Sequence, residues 1–145
     1  MKIRIKRFDK SLPLPTTDTG AACFDMTCRE RVIIPPHGIR PVPQNVALQV
    51  PEGYACLLFS RSSTSWRKGL MLANGVGVID PFYCGDKDEF LALLLNITAE
   101  PVTVEVGEKL VQGMFIQPAS IAWDEVGSFA TKGHGGYSIS EEVRQ

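Results

Sequence analysis

The sequence predicts an all-β domain, a sandwich or barrel of short strands. Three observations carry that reading. Most of the chain is made of short apolar or alternating segments. Pro and Gly clusters part these segments about every 8 to 12 residues, the spacing of such folds. Ten prolines in 145 residues leave little uninterrupted chain for long helices.

The elements follow in order. Lys2-Ile3-Arg4-Ile5-Lys6 alternates with period two, as a half-buried strand does. Val32-Ile33-Ile34 is stopped by Pro35-Pro36-His37-Gly38, and Val46 to Val50 by Pro51-Glu52-Gly53. Further strands are expected at Tyr54 to Ser60, Gly75 to Ile79 and Phe90 to Asn96. Val102 to Val106 alternates and turns at Gly107-Glu108, after which Lys109 to Gln117 continues in the same style. One short helix is expected over Ser62 to Gly69, with hydroxyls to cap its start and a glycine at its end. No repeat or linker interrupts residues 1–129, which read as one domain, while residues 130–145 are polar and Gly-rich and read as a flexible tail.

Composition narrows the function. A net charge of -1 gives no general attraction to nucleic acid or anionic membrane, so any phosphate binding must be local. The longest strongly apolar run, Phe90 to Leu95, is far short of the ~20 residues that span a bilayer. The basic N-terminus has no apolar stretch behind it and does not read as a secretory signal. Cys23, Cys28, Cys56 and Cys84 form no Cys-x-x-Cys pair, and only two histidines accompany them, which argues against zinc. Scattered reduced thiols fit a cytoplasmic location, or a nuclear one for a eukaryotic or viral source.

Five segments are unusual for a plain β domain, and each alone admits a plain reading too. Gly20-Ala21-Ala22-Cys23-Phe24-Asp25 has small residues that permit close backbone approach, and Asp25 could orient a cation or merely open a turn. Ser60-Arg61-Ser62-Ser63 offers hydroxyls, amides and a guanidinium fork suited to phosphate, or an ordinary cap. Ala73 to Gly85 has the look of a β-hairpin; its glycines would let backbone lie against a flat ligand, and Asp80 could take a proton from water or simply start a turn. Gly107 to Gln112 reads as a hairpin turn with Gln112 on the strand beyond. Lys132-Gly133-His134-Gly135-Gly136-Tyr137 could fold over a nucleotide or be a featureless tail.

Taken together and in this order, the five segments resemble the trimeric deoxyuridine triphosphatase (dUTPase) family over essentially the whole chain. The third is the most specific, with Asn74, Gly77, Ile79, Asp80, Tyr83 and Gly85 at the family's positions. The resemblance implies a jelly-roll β-barrel and a homotrimer whose active sites are shared between subunits. It implies hydrolysis of dUTP to dUMP and pyrophosphate, which limits uracil incorporation into DNA and supplies dUMP for thymidylate synthesis. Asp80 would activate the water that attacks the α-phosphorus. Tyr83 would pack on the deoxyribose and leave no room for a 2'-hydroxyl. Asn74 and the backbone near Gly77 would read uracil. Arg61, Ser62, Ser63 and Gln112 would hold the phosphates, with Asp25 in support. Lys132, Gly135, Gly136 and Tyr137 would close the site. Mg2+ would be carried by the triphosphate and water, without dedicated protein ligands.

The chain departs from the family in two places. The segment Gly85 to Phe90 is about three residues longer than in the shortest members, which is expected to alter subunit contacts. Lys132 and Tyr137 stand where Arg and Phe are usual, and a lysine cannot form the arginine fork. Three other functions compete. A dCTP deaminase of the same fold needs a glutamate in the run Leu91 to Asn96, which has no acid. A non-catalytic nucleotide-binding regulator is suggested by the altered tail, and the intact Asp80, Asn74, Tyr83 and Ser62 argue against it. A purely structural barrel leaves the five segments unexplained.

Overall fold

The computed structural model describes residues 1–131 and 133. The lid candidates Lys132, Gly135, Gly136 and Tyr137, and all but three residues of the proposed tail, lie outside the described residues.

Among the described residues, eleven strands are arranged in four small sheets. Strand β1 (Arg4–Arg7) pairs with β5 (Val46–Gln49), and β3 (Val32–Ile34) with β10 (Val102–Val104). A three-stranded sheet runs β4 (Ile39–Pro43), β9 (Leu91–Asn96), β7 (Leu70–Leu72). A four-stranded sheet runs β2 (Phe24–Asp25), β11 (Val111–Ile116), β6 (Ala55–Ser60), β8 (Gly77–Ile79). All pairings are antiparallel. The strands wrap one apolar core of Met26, Ile34, Leu58, Leu70, Phe90 and Leu94, all at most 2% exposed. This is the expected all-β, jelly-roll-like barrel, and no described helix is long and apolar enough to cross a membrane.

Strand β9 shows how topology overrides composition. Leu91-Ala92-Leu93-Leu94-Leu95-Asn96 reads as uniformly apolar, yet Ala92, Leu94 and Asn96 point inward while Leu91 and Leu93 face out. Asn96 is fully buried; its amide donates to Ile34 O and Glu100 O, and its oxygen accepts from the Thr98 amide and hydroxyl. Strand β4 contains Pro41 and Pro43 and was not expected to be a strand. It lies at the edge of its sheet, where the missing N–H of proline costs no ladder bond.

The short helix is a single π-type turn, Thr64–Lys68. Gly69 closes it in the left-handed region at φ 65°, as expected. The expected hydroxyl cap is absent: Ser63 makes no side-chain cap bond. The buried Thr64 hydroxyl instead donates to Leu110 O at 2.7 Å and fastens the turn to the start of β11.

Both hairpin readings are corrected. The strand Gly77–Ile79 pairs with β6, whereas β7 before it and β9 after it belong to the other sheet. Gly107 does make a tight turn at φ 88°, but β10 and β11 on its two sides also lie in different sheets. Turn residues mark where a strand ends; its partner is chosen by packing elsewhere in the chain.

Candidate active site

A polar cavity of about 440 Å³ opens at one end of the four-stranded sheet, lined by Thr16, Asp18, Asp25, Arg61, Lys109 and Gln112 among others. Sheet register builds it. Gln112 of β11 stands opposite Asp25 of β2 on one side and Phe59 of β6 on the other, so Asp25 and Gln112 share a face with Arg61, two residues past Phe59. The Arg61 Nε lies 2.9 Å from the Asp25 carboxylate, and an Arg61 Nη donates to Lys109 O at 3.0 Å. The Lys109 ammonium donates to the Thr16 hydroxyl at 2.7 Å and sits 3.9 Å from Asp25. Gln112 donates to Ser60 O at 3.3 Å. Ser62 lines the cavity at the start of the helical turn, with Ser63 half-buried beside it.

Two cations are thus held in place by one carboxylate and two oxygen acceptors, beside an exposed serine. That donor set suits a phosphate chain. Lys109 was not singled out from the sequence, although it sits three residues before Gln112; a cation within that segment was the available signal. Among the described residues no three His, Cys, Asp or Glu side chains gather into a metal-binding group.

The second set of residues lies along the edge strand of the same sheet, with Asp80 at its far end. Strand β8 is the edge strand, paired with β6 on one side only. Its register runs Gly77 to Leu58, Val78 to Leu57 and Ile79 to Cys56, which sets Asp80 level with Ala55. Arg61 is six residues further along, roughly 20 Å at a strand rise of ~3.3 Å per residue. The Arg61 side chain moreover leans toward β2, across β11 and away from β8. One chain therefore does not bring Asp80 to the Arg61 cavity.

Asp80 is exposed and locally fixed. Its Oδ1 accepts the Phe82 amide at 2.9 Å, and Oδ2 has no hydrogen-bond partner among the described residues. Tyr83 is 38% exposed; its hydroxyl donates to Glu89 O at 3.0 Å and its ring lies 6.3 Å from that of Phe90. Burial pushes the Tyr83 phenol upward, with Asp88 and Glu89 adding to the shift. Asn74 is exposed in the turn before β8, beside Gly75 at φ 70°. Gly77 is buried, and a Cβ there would meet Leu58 Cβ at 3.1 Å. A side chain there would need Leu58 to give by a few tenths of an ångström, so packing on the inner side favours glycine, whatever lies against the strand outside.

The dUTPase family model matches residues 10–139. The chain belongs to the dUTPase family. It is similar to the deoxyuridine 5'-triphosphate nucleotidohydrolase of Dictyoglomus turgidum, 32% identical over 143 residues, covering 94% of this chain and 95% of that protein. Among solved structures it is similar to the dUTPase of Streptococcus mutans, with a TM-score of 0.74 and 32% identity over 82% of this chain and 98% of that one. A mutant of the dUTPase of phage phi11 of Staphylococcus aureus shares the fold at a TM-score of 0.77 and 20% identity, covering 89% of this chain and 99% of that one, and that structure details the coordination of a structural Mg(II) ion.

Proposed function

We infer that this dUTPase-family chain hydrolyses dUTP to dUMP and pyrophosphate, at a site assembled from two subunits. The observation that carries the reading is the separation of the Asp80 turn from the Arg61–Lys109 cavity on one sheet. Each is half of a nucleotide site: one end has a carboxylate beside an aromatic ring and an open strand edge, and the other has phosphate-binding cations.

The N–H and C=O groups on the outer edge of β8 near Gly77, which no other described strand pairs, are suited with Asn74 to pair with the edge of uracil. Tyr83 packs on the sugar and excludes a 2'-hydroxyl. In a neighbouring copy Arg61, Lys109, Ser62, Ser63 and Gln112 hold the phosphates, with Asp25 fixing both cations. Asp80, held by the Phe82 amide through Oδ1, accepts a proton from water through Oδ2. The water oxygen bonds to the α-phosphorus, the bond to the bridging oxygen of the β-phosphate breaks, and pyrophosphate leaves with that electron pair.

Magnesium bound to the triphosphate would supply charge neutralisation. Asp25, the nearest carboxylate to the cavity's cations, is already engaged by Arg61 and Lys109, so the ion is assigned to the phosphates and not to a protein cage. Association as a homotrimer is supported by the outer face of β4–β9–β7, where Ile39, Met71, Leu91 and Leu93 are 39–49% exposed and apolar.

Pyrophosphate release from dUTP by the native chain and by Asp80→Asn tests the reading. The variant is expected to lose about 100-fold or more in kcat, the scale of a general base. Undiminished turnover would remove Asp80 from the chemistry.

A further inference from the structure

We infer that Arg29, acting through the Glu89 carboxylate, is the positioning residue for Tyr83 and so sets the preference for deoxyribose over ribose nucleotides. The inference rests on the proposed role of Tyr83 against the sugar.

The loop from Asp80 to Glu89 is mostly exposed; Phe82 at its tip is 90% exposed. Its own apolar packing cannot fix it. Its anchors fall within Asp86 to Glu89. Lys6 donates to the Asp86 carbonyl and carboxylate at 2.7 and 3.1 Å, and the Asp88 carboxylate accepts the Gly85 amide at 2.7 Å. The strongest anchor is Glu89, whose side chain is only 8% exposed. It takes the Arg29 fork on both oxygens, at 2.8 and 2.7 Å, and the Asn45 amide at 2.8 Å.

These partners are themselves fixed. The Arg29 amide donates to Pro43 O at 2.9 Å, its third nitrogen pairs with Glu30 at 2.6 Å, and its guanidinium sits over the Phe8 ring at 5.9 Å. Asn45, in the left-handed region at φ 65°, exchanges side-chain hydrogen bonds with the Asp9 backbone. Glu89 is thereby held from two directions by elements remote from the loop.

Tyr83 depends on that hold. Its hydroxyl bonds the Glu89 carbonyl, and its ring lies against Phe90, the next residue, whose backbone bonds Val46 O and accepts from Gln44. Loss of the Arg29 fork leaves a buried carboxylate with only an amide partner, a state relieved by rotating Glu89 toward water. The Glu89 carbonyl, in one peptide unit with the Phe90 N–H, is then held only through Val46 O, and the bond it accepts from the Tyr83 hydroxyl loosens.

The test compares kcat/KM for dUTP and for UTP in the full-length native chain, Arg29→Ala, Arg29→Lys, Glu89→Gln and Tyr83→Ala, alongside melting temperatures. Arg29→Ala and Glu89→Gln are expected to lower the dUTP/UTP ratio about tenfold, since misplacement of a positioning group by an ångström or less has effects of this order. Arg29→Lys, which keeps the charge without the fork, is expected between them and the native chain. If Arg29→Ala does not fold, the other two variants decide by the same ratio. Folded variants that melt earlier yet keep the native ratio, while Tyr83→Ala loses it, would reduce the pair to a stability role and overturn the inference. A native ratio in Tyr83→Ala would instead overturn the sugar-gate reading beneath it.

Discussion

Mixing two inactive variants is the sharpest test of a site split between chains. One variant is Asp80→Asn, which removes the proposed base. The other is Arg61→Ala/Ser62→Ala, which strips the phosphate cavity. The strand distance of roughly 20 Å between Asp80 and Arg61 means that no site uses both groups from one chain, so the damage in each variant lies on a different half. Each is expected near background alone: two lost charge-assisted or polar contacts remove about 2–4 kcal/mol, a 30- to 1,000-fold loss. In hybrids formed by refolding the two together at equal amounts, each half of a site comes from either kind of subunit independently. About a quarter of sites then regain both native halves, as expected when one subunit offers one patch to a different patch of the next. Turnover per site should rise to about a quarter of native. Turnover no greater than the sum of the separately refolded variants would show that Asp80 and Arg61 serve the same chain's site, and the register argument would fail.

Two further outcomes concern the scaffold. A Cβ at Gly113 would sit 2.4 Å from the Phe24 ring, so Gly113→Ala must displace that ring, which is carried on β2 next to Asp25. Overpacking of this kind costs about 1–3 kcal/mol, seen as a melting temperature lower by roughly 3–10 °C; an unchanged melt would mean the ring yields freely. Burial pushes the Cys28 thiol up to about 11 and the Cys56 thiol up to about 12, from 9.0. Folded values above the unfolded one give a contribution that is complete below pH 9 and is lost as pH rises toward those values, because the unfolded chain releases its protons first. Denaturant melts should show stability falling above pH 9, with a shallower fall in Cys56→Ala; equal slopes would remove that thiol as a cause.

The all-β class was legible because it depends on local signals. Period-two alternation at Lys2 to Lys6 marks a real strand, displaced to Arg4–Arg7, and the Pro and Gly stops after Ile34 and Val50 fall at real strand ends. Strand β2 has two residues and β7 three, too few to show a period. Strand β4 was hidden by Pro41 and Pro43, because tolerance of proline depends on lying at a sheet edge, a property of the assembled sheet. The same limit explains the two hairpin readings: Gly75 and Gly107 turn the chain as their residue types require, but which sheet receives the next strand is a long-range outcome. The resemblance named Asp25, Arg61, Ser62 and Gln112, and the fold gathers them round one cavity. Lys109 was passed over because its segment read as a turn. That Glu89 anchors the loop could not be read locally at all, since its partners Arg29 and Asn45 lie far away in sequence.

The cavity proposed to hold the phosphates has its cations ordered in advance. Arg61 is already clasped by Asp25 and the Lys109 carbonyl, and Lys109 by Thr16. Long cationic side chains lose on the order of 1.5–2 kcal/mol of rotamer freedom each when immobilised. Here that loss is taken as the barrel closes, before any nucleotide arrives. Binding can then draw on nearly the full attraction between cations and phosphates, and a substitution that frees these side chains should weaken affinity even where every phosphate contact can still form.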